Sequence, residues 1–321
     1  MTAGTTTGPA ATVAPAGSTP AEGAEAVSAR IAEIFAQAGA TGYLHAREVG
    51  VEDGPEVAVR ADEPVVLASV FKILVLTAYA RAISAGTLDP QDRGTVTARY
   101  RIGGIGTAGF LDDVEVSWRD LAALMMTMSD NAATDVIYHR LGREAVDRVI
   151  ADLGLERTRL IGCCEDLFAT IPLDLGGDED SDVEALLESA TEEQLRGMSF
   201  VDPLRTSAST PREVTALLDA LWTDAAAPAD GSAAAREIMS RQIWPHRLSS
   251  GFPSEVQIAA KTGTVPSWRN EAGVVTYPDG RQYAVAVFTQ ADSFAPRLPA
   301  VDASIGKAAF AAVEHLRSLA L

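Results

Sequence analysis

Apolar residues recur at helical spacing over residues 24–38, where Val27, Ile31, Ile34 and Phe35 share a face, and this predicts an amphipathic helix lying along a sheet. Beyond Gly42 the pattern shortens to two β-like runs, 43–51 and 56–60, divided by the turn sequence Glu52-Asp53-Gly54-Pro55. Val70, Phe71, Ile73, Leu74, Val75 and Leu76 predict a helix that opens at Ser69 and closes near Gly86, ahead of Pro90. Residues 88–111 are rich in turn signals, with Gly103-Gly104 and Gly106; loops of this kind wall binding sites, and Tyr100 is the candidate aromatic. Ser117 and Asp120 stand at capping-box spacing before Leu121, Leu124, Met125 and Met128, so another helix delivers the chain to Ser129. Residues 132–142 and 143–155 read as helices and 158–168 as an irregular connection. Ser181 and Glu184 open a short acidic helix around Val183, Leu186 and Leu187, and Ser209-Thr210-Pro211 starts a helix over 212–222. From Val256 the period becomes two. Strands are predicted at 257–265, 272–277 and 282–290, the last two joined by Pro278-Asp279-Gly280, followed by a closing helix at 304–319.

This order places strands at both ends of the chain and helices between them. The ends would build one sheet together, an α/β part over 26–60 and 206–321, with a helical middle over 61–205 inserted between them. With 321 residues, 47% of them hydrophobic, the chain has ample material for such a core. The net charge of −18 and the lack of a basic stripe argue against nucleic acid or an anionic membrane as partner, and no run is long enough to span a bilayer. Residues 1–25, rich in Thr, Ala, Gly and Pro, read as a disordered tail without the basic start and apolar run of a secretory signal. A cytoplasmic protein is therefore expected, and a monomer. Cys163 and Cys164 are neighbours and imply no structural disulfide. Asp178, Glu179, Asp180 and Asp182 lack the ordered spacing of a calcium loop and read as a solvated charge run; no metal or organic cofactor is expected.

The candidate chemistry begins at Ser69. A serine hydroxyl is a poor nucleophile at neutral pH, but an amine three residues along a helix lies on the same face and is placed to take its proton. Ser69-Val70-Phe71-Lys72 has that spacing, and Ser304 to Lys307 repeats it inside the C-terminal packing helix. For Lys72 to act at neutral pH its pKa must fall about three units from roughly 10.4, a shift that burial and a neighbouring cation both favour. Two further elements stand downstream, Ser129-Asp130-Asn131 between predicted helices and Lys261-Thr262-Gly263 on a predicted strand.

These three elements in this order, with Thr134, Leu141-Gly142, the hairpin at 278–280 and Phe288-Thr289-Gln290, resemble the class A β-lactamase-like serine hydrolases over residues 24–321. The resemblance implies a β-lactamase/transpeptidase-like fold with the site in a cleft between the α/β part and the helical lobe. It implies Ser69 as acylated nucleophile, Lys72 as proton acceptor and Ser129 as proton relay to the leaving nitrogen. Asn131 would contact the substrate amide, Lys261 would supply positive potential and Thr262 would bind a substrate carboxylate. Gly263 completes the strand motif, and the amides of Ser69 and Thr264 would form the oxyanion hole.

Two positions depart from the family pattern. The family's Glu-x-x-Leu-Asn loop, whose glutamate activates the deacylating water, falls on Cys164 to Phe168, with Glu165 the nearest substitute. The arginine that family members often carry after Lys-Thr-Gly falls on Asn270, beside Arg269. The expectation is a serine hydrolase that works through a Ser69 acyl-enzyme on a lactam, amide or ester, foremost by β-lactamase-type amide hydrolysis. A cytoplasmic acyltransferase or esterase, and a β-lactam sensor that stays acylated, are the alternatives.

Overall fold

The computed structural model describes residues 23–178 and 181–319. Most of the expected tail, with Glu179 and Asp180 of the acidic run, lies outside the described residues; Gly23 leads directly into α1 (Ala24–Gln37). Strands β1 (Ala40–Glu48) and β2 (Glu56–Val59) follow, then the two-residue β3 (Val65–Val66), a 3₁₀ turn (Ala68–Phe71) and α2 (Lys72–Ser84). The hairpin β4 (Arg93–Val96) and β5 (Val114–Ser117) brackets the glycine-rich loop. Helices α3 (Trp118–Thr127), α4 (Asn131–Leu141), α5 (Arg143–Asp152), α6 (Cys164–Leu175), α7 (Val183–Ser189) and α8 (Glu192–Gly197) make the inserted lobe. The chain returns through β6 (Ala208–Ser209), α9 (Pro211–Trp222), α10 (Ala229–Met239) and α11 (Leu248–Gly251). It ends on β7 (Gln257–Val265), β8 (Trp268–Thr276), β9 (Gln282–Ala291) and α12 (Pro299–Leu319).

The five long strands form one antiparallel sheet in the order β2-β1-β9-β8-β7, so the two ends of the chain meet at β1 and β9. Alternation along β9 separates two cores. Tyr283, Val285 and Val287 pack with Val27, Ile31 and Phe35 of α1 and Ile305, Ala309 and Val313 of α12. Ala284, Ala286 and Phe288 turn the other way, into the larger core shared with α2, α3, α4 and α9. β7 is the sheet edge beside the helical lobe. At Gly263 it presses so closely on the 3₁₀ turn that an added Cβ would lie 2.8 Å from Leu67 O and 3.2 Å from Ala68 Cβ. That approach joins the strand motif to the serine.

Several elements differ from the sequence expectation. Ser69 lies in the 3₁₀ turn ahead of α2, not in its first α-helical turn, with Ala68 in the left-handed region at φ +46°. The segment expected to be irregular up to Phe168 becomes helical at Cys164. Asp135 of α4 reaches across to accept the amides of Cys164 and Glu165, and Asp166 accepts that of Cys163, each at 2.8 Å. Helix α10, rich in small residues, was not anticipated in the sequence. Those residues let it pack closely on α2, where a Cβ at Gly231 would sit 2.3 Å from Ala80 O.

Candidate active site

Lys72 is fully buried, and its Nζ donates to Ser129 O at 2.8 Å, Ser129 Oγ at 3.2 Å and Asn131 Oδ1 at 2.9 Å. Three acceptors match the three N–H bonds of an ammonium. They are brought together by Ser129, whose φ of +66° bends the chain between α3 and α4. Asp130 holds that bend in place: Oδ1 caps α4 at Ala133 N, and Oδ2 accepts from the amide and hydroxyl of Thr107 at 2.6 and 2.7 Å. Asn131 Nδ2 donates to Gly103 O, which ties the glycine-rich loop to the same cluster. Burial lowers the Lys72 ammonium from the ordinary lysine range, partly offset by the acidic field of Asp135 and Asp130.

Lys261, also fully buried, donates from Nζ to Thr262 O at 2.8 Å. Burial, and then the like charge of Lys72, push it well below the usual lysine range, while Glu271 pulls in the opposite sense. Glu271 pairs with Thr262 across β7 and β8 and is itself buried. It accepts from Gln242 Nε2 and, at 2.6 Å, from Leu248 N, and burial raises its pKa. Gln242 Oε1 in turn accepts the amide of Thr262 at 3.1 Å. Lys261 therefore sits between a cation and a buried carboxylate.

A cavity of about 880 Å³ opens over this cluster. Ser69, half-buried, lines it together with Asn131, Thr264 and Cys164; Thr262 is buried and is not part of its lining. Much of the remaining wall is apolar, including Phe71, Ile102, Leu167, Phe168, Ile171, Val183, Leu187 and Phe200. Two expected residues face elsewhere. The Glu165 carboxylate lies 3.6 Å from both Arg99 and His139, while the cavity wall is made by its neighbours Cys164 and Leu167. A helix start at Cys164 turns consecutive residues to different sides, so Cys164 lines the cavity while Glu165 turns toward Arg99 and His139. Tyr100 stacks at a tilt on His139, with ring centroids 5.8 Å apart, and Ile102 and Gly103 supply the loop's contribution to the wall. Cys164 Sγ approaches Asn131 Oδ1 at 3.5 Å, and burial pushes its thiol up to about 12.

Arg247 was missed in the sequence. Buried behind β7, it donates to Gly263 O and Asn270 O at 2.9 Å and to Thr264 Oγ1 at 2.8 Å, and it pairs with Asp302 at 2.7 Å. It stands in no motif, and its partner lies 55 positions further on, so nothing local marks it.

A serine on the cavity wall, a buried lysine three residues further along the chain and a second buried lysine on β7 are the arrangement expected of the β-lactamase-like fold. The model of the β-lactamase enzyme family matches residues 26–316, and the chain belongs to that family. The β-lactamase regulatory protein BlaB of Streptomyces cacaoi is 26% identical over 310 residues, covering 91% of this chain and 98% of that protein. Among solved structures, a β-lactamase from Sphaerobacter thermophilus superposes with a TM-score of 0.71 at 24% identity, covering 91% of this chain and 96% of its own. PBP-A superposes with a TM-score of 0.70 at 21% identity, covering 90% and 96%. These likenesses establish the β-lactamase/transpeptidase-like fold.

Proposed function

We propose that this protein is an acyl-enzyme-forming serine hydrolase in which Ser69 attacks the carbonyl of a β-lactam or related amide or ester. The observation that carries this reading is the buried Lys72 amine, held by Ser129 and Asn131 one turn from a serine on the cavity wall. In its neutral form Lys72 takes the Ser69 proton as the Oγ–C bond forms. Ser129, hydrogen-bonded to the same Nζ, passes a proton to the leaving nitrogen, and the amides of Ser69 and Thr264 receive the developing oxyanion, worth about 3 kcal/mol per donor. Thr262 and Arg247 serve recognition through the strand they brace.

Deacylation is the slow step in this reading. Glu165 faces Arg99 and His139, and Cys164, a thiol that stays protonated near neutral pH, takes the wall position where the family carries its water-activating glutamate. A positioned general base contributes about 10²–10⁴ in rate. The same observation favours a second reading, a sensor that is acylated and remains so, and the likeness to a regulatory protein points the same way. Incubation with a chromogenic cephalosporin, followed by intact-mass measurement over time, separates them. A burst with slow continued turnover supports the hydrolase, a stoichiometric adduct without turnover supports the sensor, and neither colour nor adduct refutes both.

A further inference from the structure

His139, Cys163 and Glu165 bring three unlike metal-ligating groups together outside the catalytic cluster. His139 lies in the last turn of α4, and Cys163 and Glu165 flank the first residue of α6. His139 Nε2 is 3.9 Å from Cys163 Sγ and 3.6 Å from Glu165 Oε2, and the three donor atoms all lie within 4.8 Å of one another. Tetrahedral zinc, with sulfur at about 2.3 Å and nitrogen or oxygen near 2.0–2.1 Å, sets its donors roughly 3.3–3.6 Å apart. A contraction of a few tenths of an ångström closes the first two separations.

The backbone that carries these donors is already fixed, since the amides of Cys163, Cys164 and Glu165 are all held by Asp166 and Asp135. Those carboxylates also add negative potential at Cys163. Cys163 is fully buried while His139 and Glu165 are partly exposed, which leaves an open side for water as a fourth ligand. A competing cation, Arg99, pairs with Glu165 at 3.6 Å, but its side chain is 60% exposed, and such a solvent-screened pair yields readily.

We propose that His139, Cys163 and Glu165 bind one zinc ion that clamps the start of α6 to the end of α4. The Cys163 thiol gives its proton to solvent as the zinc–sulfur bond forms. A sulfur, an imidazole and a single carboxylate select a borderline divalent ion over calcium or magnesium, which prefer oxygen. Cys164, between two of the ligands, lines the cavity, so the clamp sets the rigidity of that wall.

Titration of the chelator-treated protein with zinc, and with cobalt(II) for its thiolate-to-metal absorption band, tests this site. The expected result is one equivalent bound in the presence of excess magnesium and calcium. The cobalt band is lost in Cys163→Ser, and zinc affinity falls at least about tenfold in His139→Gln and Glu165→Gln. The last two changes are at partly exposed side chains and leave the fold intact whatever the buried Cys163→Ser change does. Absence of saturable zinc binding overturns the proposal, as does binding undiminished in His139→Gln and Glu165→Gln, which would place the ion on the acidic surface instead.

Discussion

Lys72 has all three of its ammonium protons engaged, and burial has already lowered the cost of losing one. Acylation requires the neutral amine, so its rate should rise with pH through a value below the ordinary lysine range and then level off. Lys72→Arg, which stays protonated, should lower the acylation rate by about 10²–10⁴ at every accessible pH, measured by pre-steady-state adduct formation. Lys261 carries the opposite balance between function and stability. Its ammonium is disfavoured by folding, so the unfolded chain binds more protons, and the cost is full below the depressed pKa and fades as pH rises toward about 10.4. Lys261→Met should therefore raise stability near neutral pH by on the order of 1 kcal/mol and flatten the rise of stability with alkaline pH, while acylation is lost; denaturant melts across pH check this. The close approach of Lys72 to Ser129 and Asn131 follows the order of the three sequence elements, although Ser69 lies in a 3₁₀ turn and Ser129 in a left-handed bend that spacing alone does not specify. Glu165, Tyr100 and Arg247 could not be placed from the sequence, since the direction of each depends on a partner distant in the chain.

At the scale of elements, the seam between β7 and the 3₁₀ turn decides whether serine and strand share one cleft. A Cβ at Gly263 would meet Leu67 O at 2.8 Å, Val70 Cγ2 at 3.1 Å and Ala68 Cβ at 3.2 Å, and two of those three contacts offer no flexible end that can yield. Gly263→Ala should cost about 1–3 kcal/mol in thermal or denaturant unfolding and slow acylation, because the strand must retreat from Ser69. Most sheet strands and the amphipathic helices were legible from period two and period 3.6 alone. The start of α6 was not, because the amides of Cys164 and Glu165 are satisfied by Asp135 from another helix, and its local cap, Asp166, follows a cysteine rather than a usual capping residue. β8 begins at Trp268 and α12 at Pro299, both earlier than the hydrophobic pattern suggested. Buried Arg269 and Asn270 conceal the strand's start.

For the molecule as a whole, two cores lie on opposite faces of one sheet, and at the junction with the helical lobe Lys72 and Lys261 are held out of reach of solvent. No helix among the described residues is long and apolar enough to cross a membrane. That strands from both ends of the chain share one sheet followed from the order of predicted elements, whereas the apolar cavity did not, since residues of α6 and α7 and Phe200 meet only in three dimensions. What unites these levels is the proposed covalent bond to Ser69. The most direct measurement is peptide mapping by mass spectrometry after a short exposure to a panel of lactams and activated esters. The expected result is one acyl group on the peptide that contains Ser69, with no adduct in Ser69→Ala. A panel that leaves the protein unmodified, or an adduct that survives the Ser69→Ala substitution, would contradict it.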